Sequence, residues 1–131
     1  LTVAARAAGV DQRVHFLGHV PRERLPELYA SCDAFVFPSV TETQGLVLAE
    51  ALVCGLPVVA VDTPQTREVL AGAGILVEAN AEAIAAGLRV ALARGQEQSA
   101  AHLALERFSL GLQTRRVIDV YETLLAQRRT A

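Results

Sequence analysis

Short apolar runs alternate along the chain with longer segments in which apolar residues recur every three or four positions. The runs at 34–37, 57–61 and 75–77 are continuous or rich in β-branched residues, which is typical of buried parallel strands. A further strand is predicted at 14–17, where Gly18 closes a short apolar run. Four strands are therefore expected.

Helices are predicted wherever apolar or small residues keep the spacing of a helical face. These segments are 1–10, 25–32, 45–53, 81–94 and 109–127. We expect the first to be a helix already under way at Leu1. Gly55 is suited to the left-handed conformation that ends the third helix. Ser109 can cap the last one.

Strands that alternate with helices indicate an α/β fold. We expect a Rossmann-like, mostly parallel sheet with helices on both faces, forming one domain over residues 1–131. A chain of 131 residues, 52% of them apolar, is long enough to bury one core. In such sheets ligands bind outside the carboxyl ends of the strands, so the loop after Phe37 is the first place to search for a site.

Charge excludes one class of partner and one kind of chemistry. With 12 basic and 14 acidic residues the net charge is −2, so the chain lacks the positive field that nucleic-acid binding needs. Every basic residue is arginine, which excludes a lysine-dependent phosphate loop. The late arginines are compatible with peripheral contact to an anionic membrane, although a solvated helix face is favoured. They are Arg115, Arg116, Arg128 and Arg129.

The sequence contains no pattern for a metal site or a disulfide. Cys32 and Cys54 lie in apolar surroundings without CxxC spacing or a companion histidine, which is typical of buried thiols in a reducing cytoplasm. No Asp-x-Asp occurs, so the sequence does not indicate a metal ion that holds a diphosphate. Glu50 and Pro57 interrupt the longest apolar stretches before they reach a membrane-spanning length. We expect a cytoplasmic protein.

Glu50 is an acidic residue on a helix face that is otherwise apolar. The residues three and four positions away on either side are Leu46, Val47, Val53 and Cys54. A carboxylate on a buried face costs on the order of several kcal/mol unless it is hydrogen-bonded. The vicinal hydroxyls of a ribose would supply two donors. The alternative is an ion pair with a distant arginine such as Arg67.

Glu42 lies just before the predicted helix 45–53, where unpaired backbone N–H groups carry partial positive charge. These groups belong to Thr43, Gln44, Gly45 and Leu46. They would bind a diphosphate without a lysine, and Gly45 would let the ligand approach the backbone. Glu42 would then lie beside the attached sugar. The alternative is that Glu42 only complements the helix dipole while Thr41 or Thr43 caps the helix.

Glu42 and Glu50, eight residues apart with Gly45 between them, resemble the signature of the retaining glycosyltransferase family 4. The run 50–59, EALVCGLPVV, is similar to the family's continuation of that signature, and the similarity covers nearly the whole chain. The resemblance implies a GT-B fold in which residues 1–131 form the C-terminal, nucleotide-sugar-binding domain. The acceptor-binding N-terminal domain would be absent, so the fragment alone is expected to be inactive.

The resemblance also implies roles for individual residues. Glu50 is expected to bind the ribose hydroxyls, and Glu42 is expected to be the catalytic residue that contacts donor-sugar hydroxyls near the reacting carbon. The backbone N–H groups of residues 43–46 would bind the diphosphate or the sugar. The base is expected near a mouth formed by Gly18, Val20, Leu25 and Ser39. No metal or other cofactor is implied. Gln44 and the pair 64–65 depart from the family, which usually has Phe and Gly-Gly there.

The donor and acceptor are suggested by one short run. Residues 41–46 are similar to the branch that glucosylates diacylglycerol, which implies UDP-glucose as the donor and a lipid acceptor. A saccharide acceptor stays open, and the lipid acceptor would place the enzyme at the inner face of a membrane. Two other interpretations also stay open. One is a GT-B sugar-nucleotide epimerase or phosphorylase, and the other is a non-catalytic, flavodoxin-like interaction module.

Overall fold

The computed structural model of the protein describes residues 1–96 and 98–129, and the side chains of all of these except 98, 99 and 129. The side chain of Arg129, one of the four late arginines considered for membrane contact, therefore lies outside the described residues. The arginines at 115, 116 and 128 are exposed to solvent.

Three parallel strands form the sheet of the described chain. They are Phe35–Phe37 (β1), Val58–Val61 (β2) and Ile75–Val77 (β3). The spatial order is β1-β2-β3, with Phe35 opposite Val58 and Val59 opposite Ile75. These strands lie within a residue of the apolar runs at 34–37, 57–61 and 75–77, so the prediction of a parallel α/β sheet is confirmed.

Helices connect and cover the strands. They are Thr2–Ala7 (α1), Leu25–Ala30 (α2), Leu46–Val53 (α3), Pro64–Leu70 (α4), Ala81–Arg94 (α5), Gln98–Phe108 (α6) and Leu110–Arg129 (α7). Short 3₁₀ turns cover Asp11–Arg13 and Arg22–Arg24. The predicted helices are all present. Gly55 has a φ of 77° at the end of α3, and the hydroxyl of Ser109 accepts the N–H of Leu112 at the start of α7.

Helix α4 follows β2 and was not predicted, although its start is encoded locally. The Thr63 hydroxyl accepts the N–H of Thr66, and the Thr66 hydroxyl accepts the N–H of Thr63. This reciprocal pair is a capping box with threonine in place of the usual acid, and Pro64 occupies the first helical position. The signal in the sequence was therefore Thr-Pro-x-Thr directly after a buried strand.

The strand predicted at 14–17 is wrong. This segment has no regular secondary structure, and Phe16 and Leu17 are 53% and 59% exposed. A strand is defined by the ladder it shares with a neighbour, and no strand in the described residues pairs with this segment. An apolar run is therefore not sufficient to form a strand, because a strand also needs a neighbour with which to pair.

The core lies on both faces of β2, whose four residues are all buried. Val58 and Ala60 pack with α3, α4 and α6 on one face. On the other face α5 approaches so closely that a Cβ at Gly87 would lie 2.9 Å from Val59 and 2.8 Å from Val77. The expected coverage of both faces is confirmed. Helix α3 follows the carboxyl end of β1 along the chain and packs one of its sides against this core.

Candidate functional site

The turn into α3 depends on Gly45. This residue is the N-cap and has a φ of 63°, in the left-handed region that favours glycine. A Cβ there would lie 3.2 Å from side-chain atoms of both Leu48 and Val69. Gly45 thus lets α3 start close to α4. Since Gly45 occupies the cap position, neither Thr41 nor Thr43 is the N-cap of α3, which corrects that alternative.

Glu42 turns its carboxylate back onto this turn. Its Oε1 accepts the N–H of Thr43 at 2.8 Å and the N–H of Gln44 at 3.1 Å. Hydrogen bonds from the backbone N–H groups of Gln44, Gly45 and Thr43, in that order of effect, lower the pKa of Glu42. The side chain therefore stays ionised at neutral pH. Two of the backbone N–H groups that were expected to bind a diphosphate, those of Thr43 and Gln44, therefore already donate to the Glu42 carboxylate.

Glu50 is half-buried and has a partner from another helix. Its Oε2 accepts the hydroxyl of Tyr29 on α2 at 3.1 Å. Arg67, the alternative partner, instead makes a bidentate pair with Asp62, with an Nη2 to Oδ2 distance of 2.7 Å. The ion pairs found within the described residues do not include Glu50. The ion-pair interpretation with Arg67 is wrong.

The apolar face around Glu50 forms the wall of a groove rather than part of a sealed core. Leu46 and Val47 are 58% and 38% exposed, and Val53 and Cys54 are half-buried. The sequence alone predicted a buried face because it shows polarity and not which elements cover it. The carboxylate of Glu50 is therefore reachable from solvent along one side of α3.

This groove has a volume of about 600 Å³ and lies between α3, α4 and the junction of α6 with α7. Its polar lining residues are Arg22, Thr43, Gln44, Glu50, Gln65, Glu68, Arg107 and Gln113. Glu50 also lines a second cavity of about 190 Å³, with Leu25 and Tyr29 on its other side. Glu50 thus stands at the junction of a larger groove that carries several polar side chains and a smaller, mainly apolar pocket.

The structure brings together only part of the predicted site. Thr43, Gln44 and Leu46 share the groove with Glu50, and Leu25 shares the smaller cavity with it. Glu42 and Gly45 lie on the turn that leads into α3.

The other predicted residues lie apart from the groove. Val20 lines a separate cavity of about 410 Å³, together with His19 and Leu28. Gly18 is exposed with a φ of 64°, and the hydroxyl of Ser39 is 3.3 Å from the backbone of Thr41.

Sequence reasoning missed several residues of the groove. Tyr29 has the helical spacing that puts it on the same side as Leu25 and Leu28, and a buried tyrosine needs a polar partner for its hydroxyl, which was a usable signal. Arg107 and Gln113 come from α6 and α7, more than fifty residues after Glu50, and no local pattern links them to it. Gln44 and Gln65, at the two places where the sequence departs from the resembled family, both line the groove.

The family described as "Glycosyl transferases group 1" matches residues 2–94. The chain belongs to this family. The matched region of this group 1 glycosyltransferase chain contains α1 to α5, all three strands, and both Glu42 and Glu50. The resemblance that was inferred from the spacing of the two glutamates is confirmed at the level of the family.

Named relatives agree with this assignment. The chain is 35% identical over 122 residues to O-antigen chain mannosyltransferase B of Escherichia coli, covering 85% of this chain and 30% of the relative. It is 35% identical over 141 aligned positions to a D-inositol 3-phosphate glycosyltransferase of Salinispora tropica, covering 96% of this chain and 28% of the relative. The chain thus spans about a third or less of the length of these relatives.

Solved structures support the expected fold of this group 1 glycosyltransferase chain. Sucrose-phosphate synthase from Thermosynechococcus elongatus superimposes with a TM-score of 0.83 at 26% identity, covering 95% of this chain and 33% of that one. WaaG, a glycosyltransferase of lipopolysaccharide biosynthesis, superimposes with a TM-score of 0.60 at 28% identity, covering 80% and 28%. The GT-B domain fold inferred from the sequence is confirmed.

The described residues lack two kinds of feature. Within 1–96 and 98–129, no three or more His, Cys, Asp or Glu residues are grouped so that they could hold a metal ion. Over the same residues, none of the helices combines the length and the apolar character that crossing a membrane requires.

Proposed function

We propose that this chain is the nucleotide-sugar-binding domain of a retaining family 4 hexosyltransferase. The whole enzyme moves a hexose from a nucleoside diphosphate to a lipid or saccharide acceptor, and a domain outside this chain binds most of the acceptor. The observation that carries the proposal is the position of Glu50. Its carboxylate is half-buried, is held by a neutral hydroxyl, and faces an open groove beside the start of α3.

Each part of the donor has a place on this surface. The ribose hydroxyls donate to Glu50, and the diphosphate lies at the N-terminus of α3, where the helix dipole and N–H groups of residues 43–46 attract an anion. The base lies toward Leu25, in the smaller cavity that adjoins Glu50. Gly18, Val20 and Ser39 line neither the groove nor this smaller cavity, and the family resemblance alone assigns them to the base. No metal ion is included, because backbone donors and not carboxylates are assigned to the diphosphate.

Glu42 changes partners when the donor binds. In the structure its carboxylate occupies the N–H groups of Thr43 and Gln44. A diphosphate that takes over these donors exchanges one anion for another and releases Glu42 toward the sugar hydroxyls. Glu42 then acts as the catalytic residue of this domain by holding the sugar in position.

The chemical step is a substitution at the anomeric carbon. The bond from that carbon to the diphosphate oxygen breaks and the diphosphate leaves with the electron pair. A bond to the acceptor oxygen forms on the same face of the sugar, and the proton of the acceptor hydroxyl passes to the departing diphosphate. The N-terminus of α3 stabilises the charge that develops on the diphosphate, so the contribution of this domain is electrostatic.

The sequence run 41–46 is the basis for proposing a specific donor and a specific acceptor. UDP-glucose is the proposed donor, and diacylglycerol or a related glycolipid precursor is the proposed acceptor. The names of the relatives, which include an O-antigen chain mannosyltransferase, support an acceptor in glycolipid or polysaccharide biosynthesis. The proposed location is the cytoplasm, with peripheral contact to the inner face of a membrane.

Nucleotide binding to the 131-residue chain tests this function. Calorimetric titration with UDP, GDP, ADP, UDP-glucose and GDP-mannose should show saturable binding of at least one of them. The variant Glu50→Gln should raise the Kd of the nucleotide that binds by about tenfold, since an amide accepts weaker hydrogen bonds from ribose than a carboxylate does. The variant Glu82→Gln is the matched control, because Glu82 is exposed at the start of α5, on the other face of the sheet.

Other outcomes would favour the rival interpretations. No binding of any of the five ligands would contradict the proposal and favour an interaction module. Binding followed by epimerised or phosphorolysed product in the complete enzyme, with no transfer to an acceptor, would identify an epimerase or a phosphorylase.

A further inference from the structure

Within the described residues, the Glu50 carboxylate on α3 is hydrogen-bonded to Tyr29, which lies on a different helix, α2. Its hydroxyl donates to Oε2 of Glu50 at 3.1 Å across a separation of 21 residues. Tyr29 is 9% exposed, so this hydroxyl points from the core toward the groove rather than from solvent. The contact is therefore made by a side chain that the core holds in place.

The ring of Tyr29 has little freedom to move. It packs edge-on against Phe35 of β1 with a centroid distance of 5.8 Å, and it belongs to the core cluster that includes Leu48 and Leu52 of α3. Burial and then the hydrogen bond to Glu50 raise the pKa of Tyr29 to about 12. The hydroxyl consequently remains a proton donor at neutral pH and well above it.

A carboxylate has two oxygens and about four acceptor positions. Tyr29 uses one position on Oε2, which leaves Oε1 and the second position on Oε2 for other donors. Two vicinal hydroxyls need two acceptors with a fixed orientation, and a glutamate without a partner would have to lose rotamer freedom when they bind. A hydroxyl anchored in the core removes that cost in advance.

We propose that Tyr29 is a positioning residue that orients the Glu50 carboxylate for the ribose hydroxyls of the donor. The inference rests on the proposed function, because it assigns to Glu50 the ribose of a nucleotide. A purely structural tyrosine would stabilise the fold and affect all ligands equally. A positioning tyrosine affects only those ligands that carry ribose hydroxyls, and it acts only through Glu50.

The experiment compares ribonucleotides with analogues that lack the hydroxyls. Calorimetric Kd values are measured for UDP, GDP and ADP and for their 2′,3′-dideoxy forms, using the 131-residue chain. Tyr29→Phe removes the hydroxyl and retains the ring. For the ribonucleotide that binds best, we expect this variant to weaken binding roughly three- to tenfold while the Kd of the dideoxy analogue stays unchanged.

Two further variants connect the effect to its cause. Tyr121→Phe is the matched control, since Tyr121 is the other tyrosine of the chain and is 65% exposed on α7. It should change neither Kd. In the double variant Tyr29→Phe with Glu50→Gln, the loss should be no larger than in Glu50→Gln alone, because a residue that acts through Glu50 has nothing left to orient.

The outcomes separate this inference from the function on which it rests. Equal weakening of the ribose and dideoxy forms in Tyr29→Phe, or losses that add fully in the double variant, would overturn the positioning role alone. Wild-type binding that does not distinguish the ribose from the dideoxy forms would overturn the ribose assignment of Glu50, and the role of Tyr29 with it. Thermal melting of each variant checks that the fold is retained.

Discussion

At the scale of single residues, the two glutamates of the signature occupy different environments. Glu42 lies on an exposed turn and accepts backbone N–H groups, whereas Glu50 is half-buried and accepts a side-chain hydroxyl. Their spacing of eight residues was visible in the sequence, and so was the apolar face of Glu50. Their partners were not, because a hydrogen-bond partner depends on which atoms meet in space.

The position of Glu42 predicts that removing its charge lowers turnover without weakening the binding of UDP. Glu42→Gln replaces a competing anion by a weaker, neutral acceptor on the N–H groups of Thr43 and Gln44. The Kd for UDP should therefore stay the same or fall. Turnover of the complete enzyme should drop by roughly a hundredfold, the scale on which misplacing a reacting group acts. Weaker UDP binding in this variant would contradict the proposal that the diphosphate replaces the Glu42 carboxylate on these N–H groups.

The same carboxylate predicts a pH dependence of stability. Because folding lowers the pKa of Glu42, its ionised form stabilises the folded state above the unfolded pKa, and this contribution is lost as the pH falls through the folded value. The difference in unfolding free energy between wild type and Glu42→Gln should be constant from neutral pH to about 5 and shrink at lower pH. Urea unfolding at several pH values measures it. A difference that grows toward acidic pH would be inconsistent with the lowered pKa.

At the scale of elements, local pattern predicted three strands and five of the seven described helices, missed α4 and α6, and failed at 14–17, where a neighbouring strand was required. Helix α5 was predicted with the bounds 81–94 because small-residue periodicity is a property of the segment itself. The segment 14–17 has an apolar pattern too, but it pairs with no strand in the described chain and stays exposed. Periodicity therefore predicted where a helix forms better than whether an apolar run pairs.

The packing of α5 on the sheet predicts a large effect at one glycine. A Cβ at Gly87 would lie under 3.0 Å from both Val59 and Val77. Gly87→Ala should lower the free energy of unfolding by about 1–3 kcal/mol through overpacking, as measured by urea denaturation. Gly111→Ala in α7 is the matched control. It has open space around it and should raise stability by about 0.5–1 kcal/mol. Equal signs for the two variants would contradict this account of the packing.

At the scale of the whole molecule, the 131-residue chain combines the groove beside Glu50 with a short parallel sheet. It spans about a third or less of the length of the named relatives. The chain should therefore bind a nucleotide sugar but not transfer its hexose, because the proposed function places the acceptor site outside it. Incubation with radiolabelled UDP-glucose and a diacylglycerol-containing vesicle, compared with the complete enzyme, measures the transfer. Glycolipid formed by the chain alone would refute this division of roles.

The amino-acid sequence alone determined the order of the three paired strands and of five of the seven described helices, the parallel α/β class, the family and the two glutamates at the start and on the face of α3. These properties follow from residues close to one another along the chain, where helical and strand periodicities act. Only the tertiary structure decided that Glu50 faces an open groove, that Tyr29 and not Arg67 is its partner, and that residues 14–17 form no strand. The reason is physical: exposure, hydrogen-bond partners and strand pairing depend on distances between elements that are remote in sequence.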